Sequence, residues 1–244
     1  MARPLIIAHR GNSSAAPENT LSAFKSALAL GVDGVELDYH HSADGVPVVF
    51  HDATLDRCTN AAALWRREKI NLAEHTLVDL ASLDYGSWFG DHQTFAKEPL
   101  ATLEAAIDLI CRAGALTVIE RKSGDAATLV ALLHRMARVN QVVVMAFDWP
   151  FLTDCHRLDP SLRLVALGEG PLAPSTLAEI STIPAGYVGW NQRDLNAAAI
   201  ARIHQNHQQA WTWTVDSPDR MRELAAWEID AITTNVLALA LTAF

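Results

Sequence analysis

The residues best suited to catalysis are ionisable side chains that surround short apolar runs in the first part of the chain. His9 and Arg10 follow the first apolar run, and His51 follows a later one. Glu36 and Asp38 lie two positions apart in a strand-like segment, so their side chains point to the same face. Two carboxylates, two histidines and an arginine are costly to bury in an apolar interior. The grouping therefore predicts a functional site.

The amino-acid composition restricts the class of protein and the kinds of partner. The 244 residues, half of them apolar, are close to the length of one (β/α) barrel and favour a single domain, 1–244. A net charge of −9 without a basic block disfavours nucleic acid and anionic membrane surfaces. Cys58, Cys111 and Cys155 are odd in number and widely spaced, which predicts free, buried thiols in a reducing compartment.

Hydropathy along the chain does not predict a membrane span. No segment approaches the ~18 consecutive apolar residues that a spanning helix requires. The run at residues 5–8 is too short for the hydrophobic part of an export signal. These features favour a cytoplasmic location.

The spacing of apolar segments predicts an α/β protein built from repeated strand–helix units. The predicted strands begin near Leu5, Gly34, Thr117, Val142, Arg163, Tyr187, Ala210 and Ala231. Six of the seven intervals between them are 21 to 29 residues long, the length of one β–loop–α–loop unit. Continuous apolar strands suit a parallel sheet that is covered on both faces. We therefore expect a (β/α)8 TIM barrel, with an open doubly wound sheet as the alternative.

The remaining interval, between the second and third of these strands, is 83 residues long and predicts a small inserted segment after strand 2. The turn residues Asp44 and Gly45 precede an added strand at 46–50, and the insertion follows at about 53–98. Its polar part at 64–73 favours a helix. Insertions between barrel units commonly cover the catalytic mouth.

The carboxyl ends of the strands in such a barrel share one mouth, which gathers polar residues from distant parts of the chain. The residues that this topology places there are His9, Arg10, Glu36, Asp38, His51, Glu120, Lys122, Phe147 and Trp213. Each is weak evidence alone, because a carboxylate at a strand end is ordinarily a solvated loop residue. The argument for a site is that they converge.

The carboxylates in this set suit a metal ion. Glu36, Asp38 and Glu120 occur in a sequence without CxxC or HxxxH motifs, and they predict oxygen ligation of one divalent cation, Mg²⁺ or Ca²⁺. The alternative is that these carboxylates pair with Arg10 and Lys122 in a buried ion network. A metal ion beside two cationic side chains would attract an anion, and this combination suits a phosphate ester.

His9 and His51 are the candidates for proton transfer, because histidine is the side chain whose unperturbed titration lies near neutral pH. One would activate the nucleophile and the other would protonate the leaving alkoxide. Their sequence positions do not distinguish the two roles.

Several ordered motifs resemble the glycerophosphodiester phosphodiesterase family over nearly the whole chain. Those in the first part are His9-Arg10-Gly11, Pro17-Glu18-Asn19-Thr20, Glu36-Leu37-Asp38, Asp44-Gly45-Val46-Pro47-Val48-Val49 and His51-Asp52. Those further on are Leu83-Asp84-Tyr85-Gly86-Ser87-Trp88-Phe89, Pro99-Leu100-Ala101-Thr102-Leu103, Glu120-Arg121-Lys122 and Trp213-Thr214-Val215-Asp216. The length resembles that of the compact bacterial cytosolic members.

This resemblance implies a TIM barrel with an inserted cap segment. It also implies hydrolysis of a small-molecule glycerophosphodiester to sn-glycerol 3-phosphate and a free alcohol. The site residues that it implies are the acid/base pair His9 and His51, the phosphate contacts Arg10 and Lys122, the ligands of one divalent cation Glu36, Asp38 and Glu120, and a glycerol-facing wall of Phe147 and Trp213.

The chain departs from the family pattern at three positions. Arg121 replaces a usual aliphatic residue, and strand alternation places it on the outer face of the barrel. Ala146 precedes Phe147 where the family commonly has serine, and Asn235 follows the last strand where aspartate is frequent. None of these changes removes a predicted acid/base, phosphate or metal residue, so we expect an active enzyme.

Other functions remain as alternatives. A lysophospholipase D is disfavoured because the sequence shows no hydrophobic helix or membrane patch. A barrel that binds glycerophosphodiesters without turnover is disfavoured by the intact His9 and His51. An isomerase or aldolase with Lys122 as an imine-forming amine would not need three carboxylates and two histidines at one mouth. A homodimer is left open.

Overall fold

The computed structural model describes residues 3–244 as a barrel of parallel strands. The strands are β1 (Leu5–Ala8), β2 (Gly34–His41), β3 (Pro47–Val49), β4 (Leu116–Arg121), β5 (Val142–Ala146), β6 (Arg163–Gly168), β7 (Tyr187–Asn191), β8 (Gln209–Trp213) and β9 (Ala231–Thr234). Within these residues the order is β1-β9-β8-β7-β6-β5-β4-β2, all parallel, and β1 also pairs with β2. Ile7 lies opposite both Gly34 and Thr233, so the sheet closes on itself. The predicted TIM barrel is confirmed, and the open sheet is wrong.

The added strand β3 runs antiparallel to β2, with Tyr39 opposite Val49, and an isolated bridge joins its Val48 to Thr102. This pairing explains why β2 continues to His41, past the two carboxylates that were expected at its end. Glu36 and Asp38 instead lie in the middle of β2.

Helices cover the outside of the barrel and alternate with the strands. They are α1 (Leu21–Ala29), α2 (Ala61–Trp65), α3 (Leu77–Ala81), α4 (Leu103–Arg112), α5 (Ala126–Met136), α6 (Trp149–Leu158), α7 (Pro174–Ile180), α8 (Ala197–Gln205), α9 (Pro218–Ala226) and α10 (Leu237–Ala240). Several begin where a side chain accepts a hydrogen bond from the first turn. Thr20 caps α1, Asn196 caps α8 and Ser217 caps α9 in this way.

Alternating residues of the strands form two cores. The residues that point into the barrel are Ile7, Val118, Val143, Met145, Val165, Leu167, Trp211 and Ala231. The opposite face packs against the helices, for example Ile6 and Val35 with Phe24 of α1. Apolar side chains fill the barrel interior, and the polar groups lie at its carboxyl end. The predicted free, buried state of Cys58, Cys111 and Cys155 is confirmed.

The segment 53–98 packs around a small apolar core, in which its Leu55, Ile70 and Leu80 are buried together with Val48 of β3 and Phe50. The helix expected over 64–73 is wrong, because α2 ends at Trp65 and Arg66 takes a left-handed conformation. The Asp56 carboxylate accepts hydrogen bonds from the backbone N–H groups at 69 and 70, at 2.7 and 3.1 Å. These bonds and the burial of Ile70 hold the chain in an irregular path between Arg66 and a short 3-10 helix at Leu72–Glu74.

Asp84 organises the last part of this segment through its carboxylate. It accepts hydrogen bonds from the backbone N–H groups of Gly86 at 2.8 Å and Lys97 at 2.8 Å, and from the Ser87 hydroxyl. Partial burial opposes ionisation, but these bonds lower the pKa of Asp84 to about 2. The charged form of the carboxylate therefore connects the two ends of the loop.

We expect Asp84→Ala to lower the free energy of unfolding by about 2–4 kcal/mol, since several charge-assisted hydrogen bonds are lost together. The pKa of Asp84 in the folded protein lies below its ordinary value of 3.8. The stabilisation by Asp84 is therefore complete above about pH 3.8 and is lost as the pH falls towards 2. Urea unfolding of both proteins at pH 7 and pH 3 measures the difference. The exposed Glu179→Ala is the control and should change stability by less than about 0.5 kcal/mol. Equal stability of Asp84→Ala and the parent protein at pH 7 would contradict this role.

Candidate active site

The structure brings the predicted polar residues to the carboxyl end of the barrel. His9 and Arg10 directly follow β1, and Lys122 directly follows β4. Glu120 is the second-last residue of β4, and it lies opposite Asp38 of β2 in the parallel register. Three separate segments of the chain therefore meet at one place.

The turn after β1 directs Arg10 towards the carboxylates. Arg10 has a φ of 57° and Gly11 a φ of 82°, both in the left-handed region that is unfavourable for most side chains. A Cβ atom on Gly11 would lie 2.7 Å from the backbone carbon of Ala23, so α1 can approach the turn only if this residue is glycine. The turn points the Arg10 backbone N–H at Glu36 Oε2, 2.9 Å away.

Glu36, Asp38 and Glu120 form a buried cluster of carboxylates. One oxygen atom from each lies within 4.8 Å of the others. Glu36 Oε1 is buried and has no partner in residues 3–244, whereas the likewise buried Asp38 Oδ1 has an ion-pair contact with Lys122. Burial and repulsion from Asp38 raise the pKa of Glu36, and the same two causes raise the pKa of Glu120 to about 7. Three hard oxygen donors, one of them with an unpartnered oxygen atom, fit a divalent cation.

Two cationic side chains flank this carboxylate cluster. Lys122 Nζ lies 3.1 Å from Asp38 Oδ1 and also contacts Glu120, and Arg10 Nε lies 3.2 Å from Asp38 Oδ2. Burial alone would raise the pKa of Asp38, but the charges of Lys122 and Arg10 lower it overall. The ion network that was the alternative to a metal site is therefore present, yet it leaves the Glu36 Oε1 atom without a partner.

These ion pairs also bear on an imine-forming role for Lys122. Burial alone would lower the pKa of Lys122, but the charges of Asp38 and Glu120 raise it overall. An amine must be uncharged to attack a carbonyl carbon. The structure therefore disfavours the isomerase or aldolase alternative.

His9 is oriented by Asn235, the residue that departs from the family pattern at the end of β9. His9 Nδ1 donates to Asn235 Oδ1 at 2.7 Å, and Asn235 Nδ2 donates to Asp216 Oδ2 at 2.8 Å. The second bond fixes the amide orientation, so the proton is on Nδ1 of His9 and the lone pair is on Nε2. Burial and the nearby Arg10 charge lower the pKa of His9. The ring is thus held neutral, as a proton acceptor.

His51 is oriented differently, by a carboxylate. Its Nδ1 lies 2.6 Å from Asp52 Oδ1, and Arg57 Nε donates to Asp52 Oδ2 at 2.7 Å. The hydrogen bond from Arg57 has the larger effect and that from His51 a smaller one, and together they lower the pKa of Asp52 to about 2. The charged Asp52 carboxylate, itself held by Arg57, fixes the orientation of the His51 ring through Nδ1.

Phe147 and Trp213 lie side by side at the ends of β5 and β8. Their rings meet edge to face, with centroids 5.5 Å apart and planes at 83°. Phe147 is 47% exposed, whereas Trp213 is anchored by a hydrogen bond from its indole N–H to the Gly189 carbonyl at 3.1 Å. This pair is an apolar surface open to a ligand.

Comparison with known proteins agrees with the motifs in the sequence. Residues 9–239 match the Glycerophosphoryl diester phosphodiesterase family. The chain belongs to this family. The resemblance inferred from the motifs is confirmed, and the class of activity is phosphodiester hydrolysis.

Relatives of similar length share the family and the fold. A glycerophosphodiester phosphodiesterase of Bacillus subtilis (strain 168) is 31% identical, covering 96% of this chain and 84% of that protein. One from Caldanaerobacter subterraneus subsp. tengcongensis is also 31% identical, covering 96% of this chain and 94% of that protein. The solved structure of an Oleispira antarctica phosphodiesterase, in complex with the product sn-glycerol-3-phosphate, has a TM-score of 0.88 at 24% identity. That alignment covers 99% of this chain and 96% of the other, and it supports the barrel fold.

Several residues that contact the candidate catalytic groups were not predicted from the sequence. Glu18, Asn19 and Asp52 lie in motifs that characterise the family, which was an available signal. Asn19 Nδ2 donates to Asp38 Oδ2 at 2.8 Å. Arg57 lies in the predicted insertion, where its spacing carries no pattern. Asn235 was noted only as a departure from the family.

The outer position predicted for Arg121 is confirmed, since its guanidinium pairs with Asp148 at 2.7 Å and lies over the Phe151 ring of α6. None of the helices in residues 3–244 is long and apolar enough to cross a membrane. The cytoplasmic location and the homodimer stay predictions.

Proposed function

We propose that this family member hydrolyses small-molecule glycerophosphodiesters to sn-glycerol 3-phosphate and a free alcohol, with one divalent cation and with His9 and His51 as the acid/base pair. The observation that carries the proposal is the buried group of Glu36, Asp38 and Glu120, in which Glu36 Oε1 has no partner within residues 3–244 and two cationic side chains lie alongside. Few arrangements other than a site for a cation and a phosphate would justify such burial of charge.

The cation would be held by Glu36, Asp38 and Glu120, and when bound it would polarise the phosphoryl oxygens of the substrate. The remaining contributions come from the side chains of this protein. Arg10 and Lys122 carry positive charge at the edge of the carboxylate cluster, where they would pair with the non-bridging phosphate oxygens. Their ion pairs hold both groups in place before the substrate binds, so little reorganisation is needed.

The different partners of the two histidines favour different roles. His9, neutral and with its Nε2 lone pair free, would take a proton from the attacking hydroxyl as its oxygen bonds to phosphorus. His51, supported by the Asp52 carboxylate, would donate its proton to the alcohol oxygen as that P–O bond breaks. The attacking hydroxyl is either water or the glycerol 2-hydroxyl, which would give a cyclic phosphate first.

We also propose that residues 1–244 act as one domain, with residues 53–98 as an insertion that borders the site. Two contacts support this. The Glu98 carboxylate accepts a hydrogen bond from the Ser22 hydroxyl of α1 at 2.7 Å, and the Ala43 backbone N–H donates to the His75 carbonyl at 2.8 Å. The Phe147–Trp213 pair would face the glycerol moiety.

The test is release of glycerol 3-phosphate from glycerophosphocholine, glycerophosphoethanolamine and glycerophosphoglycerol, with Mg²⁺, with Ca²⁺ and with chelator. We expect release from at least one substrate and only with a cation. Cleavage of lysophosphatidylcholine without cleavage of the deacylated diesters would favour the lysophospholipase D alternative. Binding of the diesters, measured by calorimetry, without any product would favour the non-catalytic alternative.

A further inference from the structure

Arg57 connects two carboxylates of the candidate site through one guanidinium group. Its Nε and one terminal nitrogen donate to Asp52 at 2.7 and 3.0 Å. Its two terminal nitrogens donate to Glu18 at 2.9 and 2.7 Å. All three nitrogen atoms are engaged, and they bridge two carboxylates that belong to different parts of the chain.

Each of these carboxylates contacts a different proposed functional group. Asp52 Oδ1 lies 2.6 Å from His51 Nδ1. Glu18 Oε1 accepts a hydrogen bond from Arg10 at 2.8 Å, and Arg10 in turn pairs with Asp38. Arg57 is therefore two contacts from the proton donor on one side and two contacts from the phosphate-binding arginine on the other.

The burial of the three side chains indicates a role in positioning rather than in general stability. The Arg57 side chain is 46% exposed, while those of Glu18 and Asp52 are 15% and 25% exposed. An ion pair at such an exposed site is screened by solvent and adds little to folding. Its four directed hydrogen bonds nonetheless restrict both carboxylates to one orientation.

We propose that Arg57 is a positioning residue, through which the insertion orients His51 by way of Asp52 and Arg10 by way of Glu18. This inference rests on the proposed function, because it assigns His51 to proton transfer and Arg10 to phosphate binding. Lysine cannot replace arginine here, since a single ammonium nitrogen does not reach both carboxylates in the fork geometry of a guanidinium.

The steady-state test compares Arg57→Met with Arg66→Met. Arg66, an exposed arginine of the same insertion, forms no hydrogen bond or ion pair within residues 3–244 and is the matched control. We expect Arg57→Met to lower kcat by about 10- to 100-fold, because a small misplacement of a catalytic group has an effect of this order. We also expect KM to rise about 3- to 10-fold, because Glu18, which orients Arg10, is no longer held in place by Arg57. Arg66→Met should change neither value.

Two background variants separate positioning from a structural effect. When Asp52→Asn is already present, the addition of Arg57→Met should no longer lower kcat but should still raise KM. When Glu18→Gln is already present, the addition of Arg57→Met should still lower kcat but should no longer raise KM. A merely structural role would give the same factors in every background, because independent effects add in free energy.

A measurement without turnover keeps this test separate from that of the proposed function. The His51 Nδ1–H proton, in its short bond to Asp52, should give a downfield NMR signal that shifts or broadens in Arg57→Met and stays unchanged in Arg66→Met. An unchanged signal in Arg57→Met, or wild-type kinetics, would overturn the positioning role. Failure of the wild-type protein to release glycerol 3-phosphate would instead overturn the proposed function. If Arg57→Met does not fold by circular dichroism, Arg57→Gln takes its place.

Discussion

Replacing His9 with alanine should lower kcat on a glycerophosphodiester by about 10²- to 10⁴-fold while the fold is retained, since general acid–base help is of this size. His9 lies in a loop after β1, and within residues 3–244 its ring has one polar contact, from Nδ1 to Asn235. The substitution therefore removes the proton acceptor and leaves the barrel core intact. Assays of glycerol 3-phosphate release measure kcat, and circular dichroism shows whether the variant is folded. His134→Ala is the control, because His134 is a half-exposed residue of α5 that pairs with Asp159.

The pH dependence of kcat/KM tests the role of His9 more closely. A general base must be unprotonated, so activity falls as the pH drops through its pKa. Burial and the Arg10 charge lower the pKa of His9 below its ordinary value of 6.5, and the acid limb of the profile should therefore lie below that pH. In Asn235→Asp, a carboxylate would stabilise the protonated ring, and the acid limb should move to higher pH. Full activity of His9→Ala would exclude the assignment.

Removal of divalent cations should abolish turnover, with a loss of at least about 100-fold, and Mg²⁺ or Ca²⁺ should restore it. The reason is that Glu36 presents a buried oxygen with no partner in residues 3–244 and that burial and the Asp38 charge raise the pKa of Glu120 to about 7. Without a cation, this charge is poorly compensated. Dialysis against EDTA, followed by assay with each metal, is the measurement.

Binding of the metal itself gives an independent readout. Calorimetric titration with Mg²⁺ or Ca²⁺ should show one site, which Glu120→Gln weakens strongly and the exposed Glu179→Gln leaves unchanged. A ligand that binds the folded state also raises its melting temperature. Undiminished activity in chelator, or absence of binding to the intact protein, would rule out this metal site and leave the ion network as the role of the carboxylates.

The repeat of strand and helix could be recognised from the sequence because the barrel is a local pattern repeated along the chain. Each strand needs a short apolar segment and each helix a capping residue such as Thr20 or Asn196. The predicted strand starts lie within one residue of those observed. The same regularity placed His9, Glu120 and Lys122 at one mouth without knowledge of any contact, because strand order and direction follow from the barrel.

The insertion was less predictable because its path depends on contacts outside itself. The polar composition of 64–73 favours a helix, but the Asp56 carboxylate and the burial of Ile70 and Leu72 impose an irregular path without a continuous α-helix. Local propensity is a weak signal when tertiary contacts oppose it.

The sequence by itself determined the fold class, the family and the residue types at the candidate site, because these depend on periodic pattern and on ordered motifs. Only the tertiary structure decided how those residues are held. Asn235 supports His9 across 226 positions of the chain, and Arg57 joins Glu18 to Asp52 across 39 and 5 positions. Such contacts leave no periodic signal, because the distance between two side chains at a barrel mouth is set by closure of the sheet and not by their separation along the chain.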